Sequence, residues 1–342
     1  NWGGGMGENG QRPARDQVLE ALRGAQKLVV VTHENPDGDA LGSLIAMDEI
    51  LLALGKDSLR FIDQRELPLP PEYRFLPLES AITAPPDDLA ERTVVFLDCG
   101  NLERNPAEAF RQGGMHLINI DHHHDNTHFG TVNLVDPSAS CTAEIVWDLM
   151  GELGVAPTRS IAEALYVGLI TDTGRFMYEN TTARAHLMAA DLLAAGVKPE
   201  RIYRHVYEEV PYGKLVLLAR ALAQVERYDD GLLTVTQLSA EDFAAAAAKE
   251  SYSEGIIDHL RAVESTAVAG LVRDRVGDET AAAAGLRKVS LRANDARIDV
   301  SHIAREQGGG GHRQAAGFST TMAWDDLVGL LRSEIAAQLA AA

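Results

Sequence analysis

Short, largely apolar runs that lead into acidic or imidazole side chains recur along the first half of the chain. Residues 27–32 read K-L-V-V-V-T, followed by a polar loop and then by helix-period positions over 40–54, closed by Gly55. Residues 93–98 and 116–121 repeat the apolar run, and each closes on an aspartate. Apolar strands alternating with helices predict an α/β fold built on a mainly parallel sheet, with helices on both faces. Further helices are predicted over 141–153 and 161–170, the second with Ser160 and Glu163 placed as a capping box.

From 182 to 228 the pattern is helical, broken at 196–199 and near Pro211, with no strand-like run; this predicts a helical connector. Beyond it, 231–238, 266–274 and 288–292 are predicted strands, interleaved with helices around 241–250 and 254–263. A smaller mixed α/β domain follows. The predicted division is 1–14 as a tag remnant or disordered lead, 15–190 as the larger domain, 191–228 as the connector and 229–342 as the smaller domain.

Length and charge narrow the function. With 342 residues the chain has room for two cores, and 31 basic against 50 acidic side chains give a net charge of −19. That balance repels long duplex nucleic acid, while small anions remain accessible through a local positive centre such as bound cations. Cys99 and Cys141 are the sole cysteines, which excludes a disulfide framework and a thiolate zinc cluster and predicts a cytoplasmic setting. No run approaches the roughly 18 apolar residues of a membrane span, so no membrane partner is expected.

Candidate chemistry lies where the strands end. His33, Asp37 and Asp39 crowd the loop after the first strand, where Pro36 and Gly38 bend the chain. A helix-capping turn with Asp39 as N-cap is the plain alternative. Asp98 closes the next strand, Asp121-His122-His123-His124-Asp125 the one after, and Asp172 follows the helix over 161–170. An aspartate there is unfavourable beside helix carbonyls unless a cation compensates. Mixed imidazole and carboxylate donors suit Mn²⁺ and related ions.

These motifs, in this order, resemble the DHH phosphoesterase superfamily, named for the triplet Asp121-His122-His123. Residues 308–317, G-G-G-G-H-R-Q-A-A-G, resemble the glycine-rich motif of the associated DHHA1 substrate domain. Within the superfamily the chain is most similar to bacterial nano-RNases that also dephosphorylate 3′,5′-phosphoadenosine (pAp). The resemblance implies a DHH domain over 15–190, a DHHA1 domain over 229–342 and an active-site cleft between them.

It implies two divalent ions, Mn²⁺ for preference: one held by His33 and Asp37, the other by Asp39, His122 and Asp172, with Asp98 bridging. His123 would contact the scissile phosphate. Arg292, Gly309, Gly310, Gly311, His312 and Arg313 would bind substrate, although Ala293 stands where the family often has serine. The implied reactions are degradation of short single-stranded RNA to 5′-mononucleotides, with short DNA as a further partner, and conversion of pAp to AMP; a homodimer is compatible. The alternatives are a cyclic or linear dinucleotide phosphodiesterase, a single-strand exonuclease, an inorganic pyrophosphatase and a catalytically silent nucleotide-binding regulator. His124 and Arg175 receive no role.

Overall fold

A computed structural model describes residues 8–341. Of the lead expected over 1–14, residues 1–7 lie outside the described part, whereas 8–14 belong to a helix. The chain divides after Glu209 into two units, and the stretch 191–228 is shared between them.

The first unit runs α1 (Glu8–Gly24), β1 (Lys27–Val31), α2 (Gly38–Ala53), β2 (Asp57–Arg60), β3 (Thr93–Leu97), β4 (Leu117–Asp121), β5 (Val132–Val135), α3 (Thr142–Glu152), α4 (Arg159–Asp172), α5 (Ala183–Ala194) and α6 (Pro199–Tyr203). All five strands are parallel, in the order β2-β1-β3-β4-β5. In β1, Leu28 and Val30 enter one core while Val29 and Val31 enter another, which is why the run shows no polar alternation. Of the edge strands, β2 (D-S-L-R) has one apolar residue in four and β5 (V-N-L-V) is only four residues long, and pattern reading passes over both.

Residues of α1 to α5 cover one face of the sheet. The other face departs from expectation, for no α-helix lies on it among the described residues. Phe61, Phe110 and Phe129 fill it from 3₁₀ turns and loops, with the Phe61 and Phe110 rings edge-on at 4.8 Å. Six prolines between 61 and 92, and Pro106 with three glycines between 98 and 116, leave no uninterrupted helical stretch there.

Two caps also differ from the sequence reading. Asp37, not Asp39, caps α2, accepting from the Ala40 N–H at 3.0 Å. Thr158, not Ser160, caps α4, accepting from the Ile161 N–H at 3.2 Å. Ser160 instead donates to Glu49 at 2.7 Å, and Glu163 pairs with Arg159 at 2.9 Å.

Since β2 and β3 flank β1 on opposite sides, the sheet changes its direction of growth between β1 and β3. The crevice at the carboxyl ends of those two strands is where such sheets bind ligands. Close approach of α2 and α4 brings the head of one helix to the tail of the other. A Cβ on Gly42 would lie 2.2 Å from the Ala164 carbonyl oxygen, so only glycine permits this spacing.

The second unit runs α7 (Tyr212–Ala223), β6 (Glu226–Tyr228), β7 (Leu233–Leu238), α8 (Ala240–Ala245), α9 (Ile256–Arg261), β8 (Val268–Asp274), α10 (Glu279–Ala283), β9 (Arg287–Ala293), α11 (Val300–Glu306), β10 (Gly310–His312), β11 (Ala315–Thr320) and α12 (Trp324–Ala341). Its six-stranded sheet has the order β10-β11-β9-β8-β7-β6, with β7 and β8 parallel and the other pairs antiparallel. Helices α11 and α12 pack on one face, and α7, α8 and α9 on the other. The strand β6 corrects the expectation of a strand-free connector; it is only E-R-Y, and pairing with β7 rather than its own pattern makes it extended. No described helix is long and apolar enough to cross a membrane.

Candidate metal centre

Six side chains predicted as ligands converge at the carboxyl ends of β1, β3 and β4 and at the ends of α2 and α4. Donor atoms of His33, Asp37 and Asp98 lie within 4.8 Å of one another; so do those of Asp39, His122 and Asp172, and those of Asp98, His122 and His123. Asp98 and His122 each belong to two groups, so the three overlap in one cluster able to hold divalent metal. A fourth group, His302, Glu306 and Glu334, lies at the surface of the second unit, where His302 and Glu306 form an ordinary i,i+4 pair at 3.4 Å.

The backbone fixes each donor. His33 is buried, and its Nδ1–H donates to the Glu34 carbonyl at 2.6 Å, which leaves Nε2 free to face Asp98 at 3.5 Å. A ligating imidazole needs this kind of support on its other nitrogen. Asp98 adopts the left-handed conformation, φ 58°, at a cost of about 1–2 kcal/mol, and its Oδ1 accepts from the Thr142 hydroxyl at 2.9 Å. Asp39 is held still more firmly at the head of α3: Oδ2 accepts from the Thr142 N–H at 2.8 Å and Oδ1 from the Ala143 N–H at 2.9 Å. Across the cluster, the His122 Nε2 lies 3.5 Å from Asp172, 3.6 Å from Asp98 and 3.8 Å from Asp39.

Electrostatics mark this as a place for cations. Burial raises the carboxyl pKa of Asp39 and of Asp98 above the ordinary range, and the neighbouring carboxylates raise both further. Asp172 is pushed up to about 8 by burial, then by Asp39 and Asp37. So many carboxylates in a buried space cannot all ionise without positive charge among them, and the donor set, oxygen with imidazole nitrogen, fits a Mn²⁺-like ion.

His123 is set apart from the other donors. Its Nδ1–H donates to Asp121 Oδ1 at 2.7 Å, and this bond, despite partial burial, lifts the imidazole pKa to about 9. Burial alone would raise Asp121, yet the bonds from His123 and from the Asn126 amide at 2.6 Å outweigh it and keep that carboxyl ionised. His124 and Asp125 join none of the three groups.

Sequence reading missed several residues that hold this arrangement. Thr142 serves two carboxylates at once, and its place at the start of a predicted helix was the only hint. Asn180 donates to the carbonyls of Asp172 and Ser140 at 3.0 and 2.9 Å, and no pattern singles it out. A Cβ on Gly168 would lie 2.9 Å from Asp39 Oδ1. Asp121 and Asn126 orient His123.

The residues predicted as substrate contacts gather at one edge of the second unit. Gly310, Gly311 and His312 form the edge strand β10, not a loop; Gly308 ends α11 with φ 79°, and a Cβ on Gly309 would meet the Gly317 carbonyl at 2.2 Å. The glycines thus serve packing as well as any ligand. Arg292 on β9 pairs in register with Ala315, while His312 and Arg313 are exposed, Arg313 donating to the Ala296 carbonyl at 2.7 Å.

A parallel sheet carrying this acid and imidazole cluster at its carboxyl ends, with the triplet on β4 and just beyond it, defines the class. Residues 27–169 match the DHH family, N-terminal domain. The chain belongs to the DHH family. Within it, the chain is 36% identical over 306 residues to the bifunctional oligoribonuclease and PAP phosphatase NrnA of Thermus thermophilus, covering 88% of this chain and 86% of that one. Among solved structures, an exopolyphosphatase-related protein from Bacteroides fragilis superposes with a TM-score of 0.81 at 23% identity, over 94% of this chain and 95% of that one. A manganese-bound RecJ exonuclease gives 0.51 at 17% identity, over 97% and 94%. The structural likenesses extend to the fold.

Proposed function

We propose that this protein is a Mn²⁺-dependent phosphoesterase that degrades short single-stranded oligoribonucleotides to 5′-mononucleotides and converts pAp to AMP. The observation that carries the reading is the overlap of three donor groups through Asp98 and His122, in a chain 36% identical to a bifunctional oligoribonuclease and PAP phosphatase. His33 and Asp37 would hold one ion, Asp39, His122 and Asp172 the other, and Asp98 both. Such ions supply Lewis acidity and neutralise the charge on a phosphate ester.

The chain's own groups do the rest. Thr142 keeps Asp98 and Asp39 aimed inward. His123, protonated at neutral pH through Asp121, offers Nε2–H to a phosphoryl oxygen. Arg292, His312, Arg313 and the backbone N–H groups of Gly309, Gly310 and Gly311 are the proposed substrate contacts of the second unit. The net charge of −19 favours short fragments, for which site contacts matter more than extended backbone attraction.

The test uses metal-stripped protein with a labelled RNA trimer and, separately, pAp, with and without added Mn²⁺, comparing wild type with Asp98→Ala. Metal-dependent hydrolysis of both substrates by the wild type alone is expected. Failure to cut either substrate while Mn²⁺ still binds overturns the substrate assignment.

A further inference from the structure

Directly after Asp172 the backbone does something unusual. Gly174, Arg175 and Phe176 are all left-handed, with φ of 54°, 61° and 65°, and two of the three are not glycine. Each strained residue is pinned by a ring. Phe176 stacks on His186 at 4.9 Å, and the Arg175 guanidinium lies over the Tyr207 ring at 5.0 Å, with Nη1 3.5 Å from the Tyr203 hydroxyl. Tyr207 sits on a π-helical turn at Arg204–Glu208, and its hydroxyl donates to the Ile170 carbonyl at 3.2 Å. Left-handed strain and π-turns concentrate at functional sites.

The turn presents side chains that the fold does not use. Met177 is 81% exposed and Tyr178 58%, beside the partly exposed Tyr203. Arg175 is exposed and has no carboxylate partner among the described residues, in a chain with 50 acidic side chains. The patch adjoins the metal centre: Arg175 follows the proposed ligand Asp172 by three residues, and its N–H donates to the Ile170 carbonyl at 2.7 Å in the turn that closes α4. A guanidinium without a carboxylate partner among the described residues, flanked by tyrosine rings, matches a phosphodiester with an attached base, the repeating unit of single-stranded nucleic acid.

The geometry points to a second-nucleotide subsite on the first unit, in which Arg175 grips the phosphate and Tyr178 with Tyr203 stacks the base of the nucleotide next to the one being cleaved. This rests on the proposed phosphoesterase activity and deepens it. The subsite serves oligonucleotides of two or more residues, whereas pAp, with one base, leaves it empty.

The experiment compares wild type, Arg175→Gln and Tyr178→Ala on pAp and on the linear dinucleotide pApA with Mn²⁺, alongside anisotropy of a labelled RNA trimer in Mn²⁺-free buffer. Each substitution is expected to raise KM for pApA about tenfold and to weaken trimer binding similarly, the loss of about one stacked base. KM and kcat for pAp should stay within about twofold of wild type. Equal effects on both substrates, or none on pApA, overturn the subsite. If the wild type cuts neither substrate, the activity reading fails by itself, and trimer binding unchanged by both substitutions then overturns the subsite independently.

Discussion

Asp39 closes the head of α3, with both carboxylate oxygens taken up by the N–H groups of Thr142 and Ala143 more than one hundred residues further along the chain. This bond pair both orients a proposed ligand and ties α2 to α3. In Asp39→Asn the new amide would turn its own N–H toward one of those donors. Activity is expected to fall at least a hundredfold, with Mn²⁺ binding measured by calorimetry weakened in parallel; near-wild-type binding would remove Asp39 from the ligand set.

Asn180 should act through Asp172 without touching an ion. Asn180→Ala removes the donors to the Asp172 and Ser140 carbonyls and leaves both under-satisfied, a cost of about 1–3 kcal/mol. The expected outcome is Mn²⁺ affinity reduced several-fold and Tm lowered by a few degrees, with secondary structure by circular dichroism unchanged. Affinity equal to wild type would show that the carbonyl clamp does not position Asp172.

Gly168→Ala tests the spacing of α2 and α4. The added methyl would meet Asp39 Oδ1 at 2.9 Å and the Ala143 Cβ at 2.8 Å, and overpacking of this kind costs about 1–3 kcal/mol. Although alanine is the better helix former, the substitution is expected to lower both Tm and Mn²⁺ affinity. A gain in Tm at unchanged affinity would mean that the helices separate freely.

The metal-free protein should lose stability as pH rises. Asp172, with a folded pKa of about 8, holds its proton more tightly than an unfolded aspartate near about 4. Its contribution is therefore complete below about pH 4 and is lost as pH climbs to about 8. Asp39 and Asp98 act in the same sense, and His123, raised to about 9, adds a loss above about pH 6.5. Thermal unfolding of chelated protein from pH 5 to 9 should show a falling Tm, which Mn²⁺ cancels or reverses because it replaces the protons. A Tm that rises through this range without metal would contradict the like-charge account.

The strand-ending motifs were legible because metal chemistry restricts residue type: His33, Asp37, Asp39, Asp98, His122 and Asp172 stand out as acid or imidazole groups after apolar runs, and all six converge. The supporting contacts were not. Thr142 and Asn180 act through single hydrogen bonds whose partners are set by tertiary packing, which leaves no periodic trace. The same holds for β2 and β5, extended because a neighbour pairs with them, and for the sheet face covered by phenylalanines from irregular segments. At the second unit's edge, the glycines were legible as special but not as strand, since backbone pairing with β11 is invisible in G-G-H.

The six proposed ligands are scattered from residue 33 to residue 172, on the ends of three strands and two helices. No fragment shorter than 33–172 contains all six, and no single element carries the finished centre. Metal capture is therefore expected to report folding of the first unit, because the donors meet only when its strands and helices are in place.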